Sequence, residues 1–136
     1  MVENVSPVAV YETLKSDKMA RLVDVRTDAE WAFVGLPDLS ATGQDPVLIP
    51  WQMYPTMQVN GGFVEHLRKA GLTPEHKIYF LCRSGVRSVA AANAAAAGGF
   101  ANVFNIVDGF EGPPDVDGHR GVTAGWKADA LPWQQR

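Results

Sequence analysis

The stretch Phe80-Leu81-Cys82-Arg83-Ser84-Gly85-Val86-Arg87-Ser88 connects an apolar run to an alanine-rich run through a short loop that contains two arginines. This order predicts a strand, a loop that can curl around an anion, and a helix whose N-terminus points into the loop. Helix N-termini carry unpaired N–H groups and a partial positive charge, so a cysteine placed there is more often a thiolate than an ordinary free thiol is. A lone cysteine is otherwise commonly a buried structural residue. The neighbours of Cys82, the only cysteine of the chain, favour a nucleophile over that alternative.

The composition is that of a soluble globular protein. The chain has 136 residues, of which 46% are hydrophobic and 20% charged, and this predicts a single domain over residues 1–136 with a core of its own. The net charge of −3 and the scattered lysines and arginines argue against nucleic acid or an anionic membrane as the main partner. A membrane-spanning helix needs about 18 to 20 apolar residues in a row, and neither such a run nor a signal-peptide pattern is visible. Together with the single cysteine, this predicts a protein of the reducing cytoplasm.

Strand and helix patterns alternate along the chain. Ser6 and Pro7 provide the cap and the first position of one helix, and Thr27 or Asp28 can cap another. The alanine-rich helix predicted over 88–97 is apolar on every side and is therefore expected to be buried all round. Strands are predicted at 4–5, 21–26, 47–49, 77–81 and 101–106, a further helix at 63–69, and a long surface loop at 51–62. The sequence thus predicts an α/β domain with a central, mostly parallel sheet of about five strands flanked by helices on both faces.

The position of Cys82 in this sheet predicts a binding site. Ligands of such sheets bind beyond the carboxyl ends of the strands, and Cys82 directly follows the strand at 77–81. The backbone N–H groups from Arg83 to Arg87 can form an anion-binding nest, and Gly85 permits the tight curl that a nest requires. The two guanidinium groups suit the oxygens of a sulfonate, a thiosulfonate or a phosphate, although either arginine could instead be solvated or ion-paired. The loop is therefore a candidate site for an anionic substrate.

Three segments of the chain share the motifs of a known family. They are the loop 82–88, the segment Leu22-Val23-Asp24-Val25-Arg26 followed by Glu30-Trp31, and the turn Asp108-Gly109-Phe110-Glu111-Gly112. These segments resemble the active-site loop, the Asp-Val-Arg segment and the glycine-rich turn of the rhodanese-like sulfurtransferases. The resemblance covers most of the chain, from Ser6 to Pro132. One departure is Leu36, which stands where the family usually has a histidine.

The resemblance implies sulfur transfer on a rhodanese-like fold. In that family the cysteine accepts sulfane sulfur from a donor such as thiosulfate and passes it to cyanide or a thiol. Cys82 would then carry the sulfur, and the substrate-binding residues would be Arg83, Ser84, Gly85, Val86, Arg87 and Ser88. Their backbone amides would stabilise the persulfide, and the two arginine side chains would hold the anionic group of the donor. The implied partners are a small anionic sulfur donor and an external thiol, cyanide or protein acceptor; no cofactor is implied, and one cysteine with unpaired histidines does not predict a metal site.

Asp24, Arg26 and Glu30 are expected to support the fold rather than to touch substrate. Arg26 and Glu30 lie four residues apart near a strand-to-helix turn, and opposite charges at this spacing commonly pair. Asp24 could orient the loop from the end of a neighbouring strand. We therefore assign these three residues to structural support around Cys82.

Two other kinds of function remain open. Cysteine phosphatases and arsenate reductases share the fold and place their phosphate-binding arginine six residues after the cysteine. Here Arg87 follows Cys82 by five residues, Ser88 stands at the sixth position, and no general-acid loop is evident, which disfavours phosphate chemistry. A rhodanese-like interaction module typically lacks the cysteine, whereas a persulfide carrier that serves a partner enzyme would keep it. The sequence therefore favours a sulfurtransferase, with an interaction or carrier module as the main alternative.

Overall fold

The computed structural model describes residues 2–135 as helices and strands that alternate along the chain. Ser6 caps the first helix by accepting a hydrogen bond from the Ala9 N–H at 3.2 Å, and Pro7 takes the first helical position. The helices are α1 (Pro7–Ser16), α2 (Asp28–Phe33), α3 (Phe63–Lys69) and α4 (Val86–Ala97), with a 3₁₀ helix at Ser40–Thr42. The strands are β1 (Glu3–Val5), β2 (Ala20–Asp24), β3 (Leu36–Pro37), β4 (Val47–Leu48), β5 (Gln52–Met53), β6 (Gln58–Val59), β7 (Lys77–Leu81), β8 (Val103–Ile106) and β9 (Trp133–Gln134). Within residues 2–135, no helix combines the length and the apolar character needed to cross a membrane.

Five of these strands form one parallel sheet in the order β1-β8-β7-β2-β4. β7 lies at the centre, between β2 and β8, as its continuous apolar sequence predicts. The register pairs Asp24 with Leu81 and Phe80 with Asn105, so the carboxyl ends of β2, β7 and β8 meet at one edge. The predicted α/β fold with a central parallel sheet is confirmed.

Both faces of the sheet are covered because β7 alternates its side chains between two apolar clusters. Ile78, Phe80 and Cys82 belong to the cluster that also contains residues of α3 and α4. Tyr79 and Leu81 belong to the cluster on the other face, which contains residues of α1. Cys82 therefore lies at the end of the central strand, on the face that α4 covers.

The alanine-rich helix differs from the prediction at its start and in its burial. α4 begins at Val86 rather than at residue 88, and it buries one side only. The buried side carries Ser88, Ala91 and Ala95, whereas Val86 is 78% exposed. Alanine is tolerated both in the core and at the surface, and this run has no stripe of polar residues. The sequence therefore does not show which side of the helix faces water. Because the helix starts earlier, Arg87 and Ser88 lie in its first turn.

The segment predicted as a surface loop at 51–62 contains a small hairpin. β5 and β6 pair antiparallel, with Gln52 opposite Val59 and Met53 opposite Gln58. Two-residue strands are too short to show an alternating pattern, so the sequence gives no signal for them. The hairpin starts at the carboxyl edge of the main sheet, where the Trp51 N–H donates to the Val25 carbonyl at 3.0 Å. It therefore forms one side of the crevice beyond that edge.

The C-terminal tail returns to the segment that follows α2. β3 pairs antiparallel with β9, with Leu36 opposite Gln134 and Pro37 opposite Trp133. Leu36 is buried. Rhodanese-like sulfurtransferases usually have a histidine at this position; in this chain Leu36 is an apolar residue that packs beneath the C-terminal tail.

Candidate active site

The carboxyl edge of the sheet brings Asp24, Cys82 and Asn105 together from the ends of three adjacent strands. Cys82 is 1% exposed and forms part of the wall of a cavity of about 390 Å³. The cavity is also lined by Glu30 of α2, Gln52 and Met57 of the hairpin segment, and Arg83, Ser84, Val86 and Arg87 of the loop and α4. A substrate must therefore enter this cavity to reach the sulfur.

The loop after Cys82 directs a backbone donor at the sulfur. Gly85 has φ +107°, a conformation that residues with a side chain rarely adopt, and it is the N-cap of α4. Its N–H donates to Cys82 Sγ at 3.0 Å. A donor in this position, at the start of a helix, stabilises negative charge on the sulfur. Gly85 thus contacts the sulfur itself rather than the cavity.

A buried chain of hydrogen bonds lies behind the sulfur. Ser88 Oγ lies 3.2 Å from Cys82 Sγ and donates to Asn105 Oδ1 at 2.5 Å. The side-chain amide of Asn105 donates in turn to Asn4 Oδ1 at 2.9 Å. Ser88 was expected among the substrate-binding residues, but its hydroxyl is fully buried behind the thiol. Asn105 was not among the predicted site residues. The sequence carries one signal for it: a polar residue inside an otherwise apolar strand needs a buried hydrogen-bond partner.

The two arginines of the loop have different surroundings. Arg83 is exposed at the cavity, and within residues 2–135 its guanidinium forms no salt bridge. Arg87 is mostly buried and forms two hydrogen bonds with Glu30, at 2.7 Å from Nη1 to Oε1 and at 2.9 Å from Nη2 to Oε2. Among residues 2–135, the cavity thus has one cation without an ion-pair partner, Arg83, and one that is neutralised, Arg87.

The expected pairing of Arg26 with Glu30 is wrong. Glu30 instead binds Arg87 across the cavity, while Thr27 fixes the same carboxylate through its N–H and its hydroxyl in a capping box. Burial alone would raise the pKa of Glu30, but the hydrogen bonds and the charge of Arg87 outweigh burial and lower that pKa below its ordinary value. Glu30 is therefore ionised at neutral pH, and it lines the cavity rather than only bracing the fold.

Arg26 binds Asp24 in an ion pair that is fully buried. Its Nε lies 2.9 Å from Oδ1 of Asp24 and its Nη2 lies 2.7 Å from Oδ2. The same Nη2 donates to the Gly35 carbonyl at 2.7 Å, and the guanidinium carbon lies 4.3 Å from the centre of the Phe110 ring. The pair links the end of β2 to the segment after α2 and to the turn after β8. It does not line the cavity, which fits the support role expected for both residues.

The glycine-rich turn after β8 holds the backbone of Cys82 and Arg83. The Phe110 N–H donates to the Cys82 carbonyl at 2.8 Å, and the N–H groups of Glu111 and Gly112 donate to the Arg83 carbonyl at 2.9 and 3.0 Å. Gly109 has φ +61°, and a Cβ there would lie 2.3 Å from the Cys82 carbonyl oxygen. The turn can approach the loop this closely only with glycine at that position.

Replacing Gly109 with alanine is expected to displace the start of the loop and to slow any chemistry at Cys82 by about tenfold or more. The clash should also lower the free energy of unfolding by about 1 to 3 kcal/mol. Chemical unfolding and the rate of alkylation of Cys82 by iodoacetamide would measure the two effects. Gly118→Ala is the matched control, because Gly118 has φ +81° but no neighbouring atom within 4 Å of a Cβ. It should cost about 1 to 2 kcal/mol of backbone strain and leave Cys82 unaffected. Equal effects of the two variants on Cys82 would contradict the role of the turn.

Known proteins share this fold and this sequence pattern. The family described as the STR4 middle domain matches residues 2–136. The crystal structure of Rv0390 from M. tuberculosis superposes with a TM-score of 0.90 at 41% identity, covering 99% of this chain and 98% of that one. The solution structure of the polysulfide-sulfur transferase homodimer from Wolinella succinogenes superposes with a TM-score of 0.67 at 23% identity, covering 99% and 80%.

A curated plant relative is described as containing a rhodanese-like domain. The chloroplastic rhodanese-like domain-containing protein 4 of Arabidopsis thaliana is 29% identical over 124 residues, which are 90% of this chain and 24% of that protein. The match is thus to one part of a longer protein. With the fold and the matched sequence in agreement, this chain belongs to the STR4 middle domain family and has the rhodanese-like fold.

Proposed function

We propose that this protein is a sulfurtransferase that carries sulfane sulfur as a persulfide on Cys82. The donor is thiosulfate or a similar compound, and the acceptor is a thiol, cyanide or a partner protein. One observation carries the proposal: the sulfur of Cys82 lies in the wall of a cavity with the Gly85 N–H 3.0 Å away. Membership of the rhodanese-like family and the fold shared with a polysulfide-sulfur transferase support it.

The reaction divides into loading and unloading of the sulfur. The thiolate of Cys82 attacks the outer sulfur of thiosulfate, the donor's S–S bond breaks, and sulfite leaves with the electron pair. The Gly85 N–H and the start of α4 stabilise the negative charge on the cysteine sulfur before this step; after it, the negative charge lies on the outer sulfur of the persulfide. A thiolate or cyanide then attacks the outer sulfur of the persulfide, and the Cys82 thiolate leaves. Since the chain has no second cysteine to take up the sulfur, the acceptor must come from outside.

The loop supplies the proposed substrate contacts. Arg83, which lines the cavity, would attract the anionic group of the donor, and the backbone N–H groups from Arg83 to Ser88 would stabilise the persulfide. Arg87 lies in the same wall, although Glu30 already binds its guanidinium. We propose the reducing cytoplasm as the compartment, because a single cysteine that alternates between thiolate and persulfide suits a reducing environment.

Mass spectrometry and a turnover assay test this proposal. Incubation with thiosulfate is expected to add the mass of one sulfur atom to the intact protein, and cyanide is expected to remove it and to give thiocyanate over many cycles. Loading without turnover on cyanide or small thiols would favour the carrier module. No loading from thiosulfate or from cysteine persulfide would contradict the proposal, and hydrolysis of an aryl phosphate faster than sulfur transfer would favour a phosphatase.

A further inference from the structure

The anion-binding face of Arg87 is already occupied by a side chain of the protein. Arg87 and Glu30 form two parallel hydrogen bonds: Nη1 donates to Oε1 at 2.7 Å and Nη2 donates to Oε2 at 2.9 Å. This bidentate geometry is the one that a sulfonate or thiosulfonate group would use. A donor anion that sought Arg87 would therefore compete with Glu30.

Glu30 is fixed in this position by a second set of contacts. Its Oε1 lies 3.3 Å from the Thr27 N–H and 3.1 Å from the Thr27 hydroxyl, and its own N–H donates to that hydroxyl at 3.3 Å. The carboxylate is thus tied to the start of α2, while Arg87 belongs to the first turn of α4. The side chains of Glu30 and Arg87 are only 19% and 16% exposed, so solvent screens their pairing weakly.

The pair changes the charge that a donor meets. Of the side chains that line the cavity, Arg83 and Arg87 are cations and Glu30 is an anion, and the attacking thiolate of the proposed reaction would add a second negative charge. With Glu30 ionised, these charges cancel. A dianion such as thiosulfate gains no net attraction from this wall to offset the loss of its hydration, whereas a monoanionic persulfide has much less hydration free energy to lose.

We propose that Glu30 determines donor specificity by neutralising Arg87, so that the site selects organic persulfides with a single negative charge over dianionic thiosulfate. This inference rests on the proposed sulfurtransferase function and names its preferred donor class. Asp24 and Arg26, the nearest buried charges, pair with each other and leave this balance unchanged. Glu30 thereby acts on the donor through Arg87, as a positioning and specificity residue.

Glu30→Gln tests the proposal, because glutamine keeps the shape and the capping contacts of the side chain but removes its charge. The rate of sulfur loading on Cys82 from thiosulfate and from cysteine persulfide is measured by intact mass for each variant. In Glu30→Gln we expect loading from thiosulfate to rise about tenfold and loading from cysteine persulfide to change far less. The double variant Glu30→Gln with Arg87→Gln restores the charge balance and should return the ratio of the two rates toward that of the unmodified protein. Glu12→Gln, which removes one negative charge on α1 at the other face of the sheet, should leave the ratio unchanged.

A binding measurement separates this inference from the proposed function. In a Cys82→Ser background, calorimetric titration with thiosulfate is expected to show tighter binding when Glu30→Gln is added, whether or not the protein catalyses sulfur transfer. Unchanged thiosulfate binding together with an unchanged ratio of loading rates would overturn the specificity role. Equal losses with both donors would show that Glu30 only braces the loop. If no variant is loaded with sulfur, the proposed function is refuted. If Glu30→Gln still binds thiosulfate more tightly in that case, the role of Glu30 in weakening the binding of dianions is retained.

Discussion

Replacing Cys82 with serine is expected to abolish persulfide formation and to reduce thiocyanate formation to the uncatalysed background. Serine keeps the size of the side chain and can still accept the Gly85 N–H, but its hydroxyl is not an ionised nucleophile at neutral pH. Because the chain has no other cysteine, no second thiol can take over the sulfur. Intact mass after thiosulfate treatment and the cyanide assay measure the two losses.

The stability of the Cys82→Ser variant is the control for this prediction. Its thermal unfolding should match that of the unmodified protein closely, since the substitution changes one buried atom in a site that already contains a hydroxyl, that of Ser88. A loss of activity can then be assigned to the missing sulfur. Retention of thiocyanate formation by Cys82→Ser would show that the reaction does not pass through a cysteine persulfide.

Replacing Arg26 with methionine is expected to lower the free energy of unfolding by about 3 to 5 kcal/mol, the usual cost of leaving a buried charge without its partner. Methionine fills much of the same volume, so the loss is mainly electrostatic. It would leave the Asp24 carboxylate at 0% exposure without its cation and the Gly35 carbonyl without the Nη2 donor. Urea unfolding followed by tryptophan fluorescence measures the change.

The double variant Asp24→Asn with Arg26→Met separates the ion pair from the packing around it. Removing both charges leaves no unpaired ion, so the double variant should be more stable than Arg26→Met alone. Arg68→Met on α3 is the surface control, because it breaks the exposed pair with Glu65 and should cost about 1 kcal/mol or less. A loss of similar size in Arg26→Met and Arg68→Met would mean that the buried pair contributes no more than a surface one.

The fold was predictable because its signals are local and repeated. The apolar run at β7, the caps at Ser6 and Thr27 and the cysteine before a helix start each depend on neighbouring residues, and each has its counterpart in the structure. The hairpin of β5 and β6 was missed because two residues per strand carry no period. The burial of α4 was overestimated because alanine suits water and core alike.

The electrostatic partners could not be read from sequence spacing. Arg26 and Glu30 are four positions apart, yet α2 begins only at Asp28, so the two do not share the helix face on which an i,i+4 pair forms. Arg26 turns back to Asp24 at the end of the same strand segment, and Glu30 binds a residue 57 positions away. Which charges meet is decided by the side-by-side placement of β2 and β7, which brings the starts of α2 and α4 to one cavity.

The sequence by itself determined the nucleophile candidate and its immediate setting. A strand, Cys82, a glycine turn and a helix start follow one another in the chain, and backbone N–H groups at a helix start point toward the preceding loop whatever the rest of the fold does. Only the tertiary structure decided the charge of the cavity, because strand order and register bring Glu30 against Arg87 and, in the described part of the chain, leave Arg83 without an ion-pair partner. Ser88 and Asn105 lie behind the sulfur for the same reason: they come from α4 and β8, which are adjacent in space but distant along the chain.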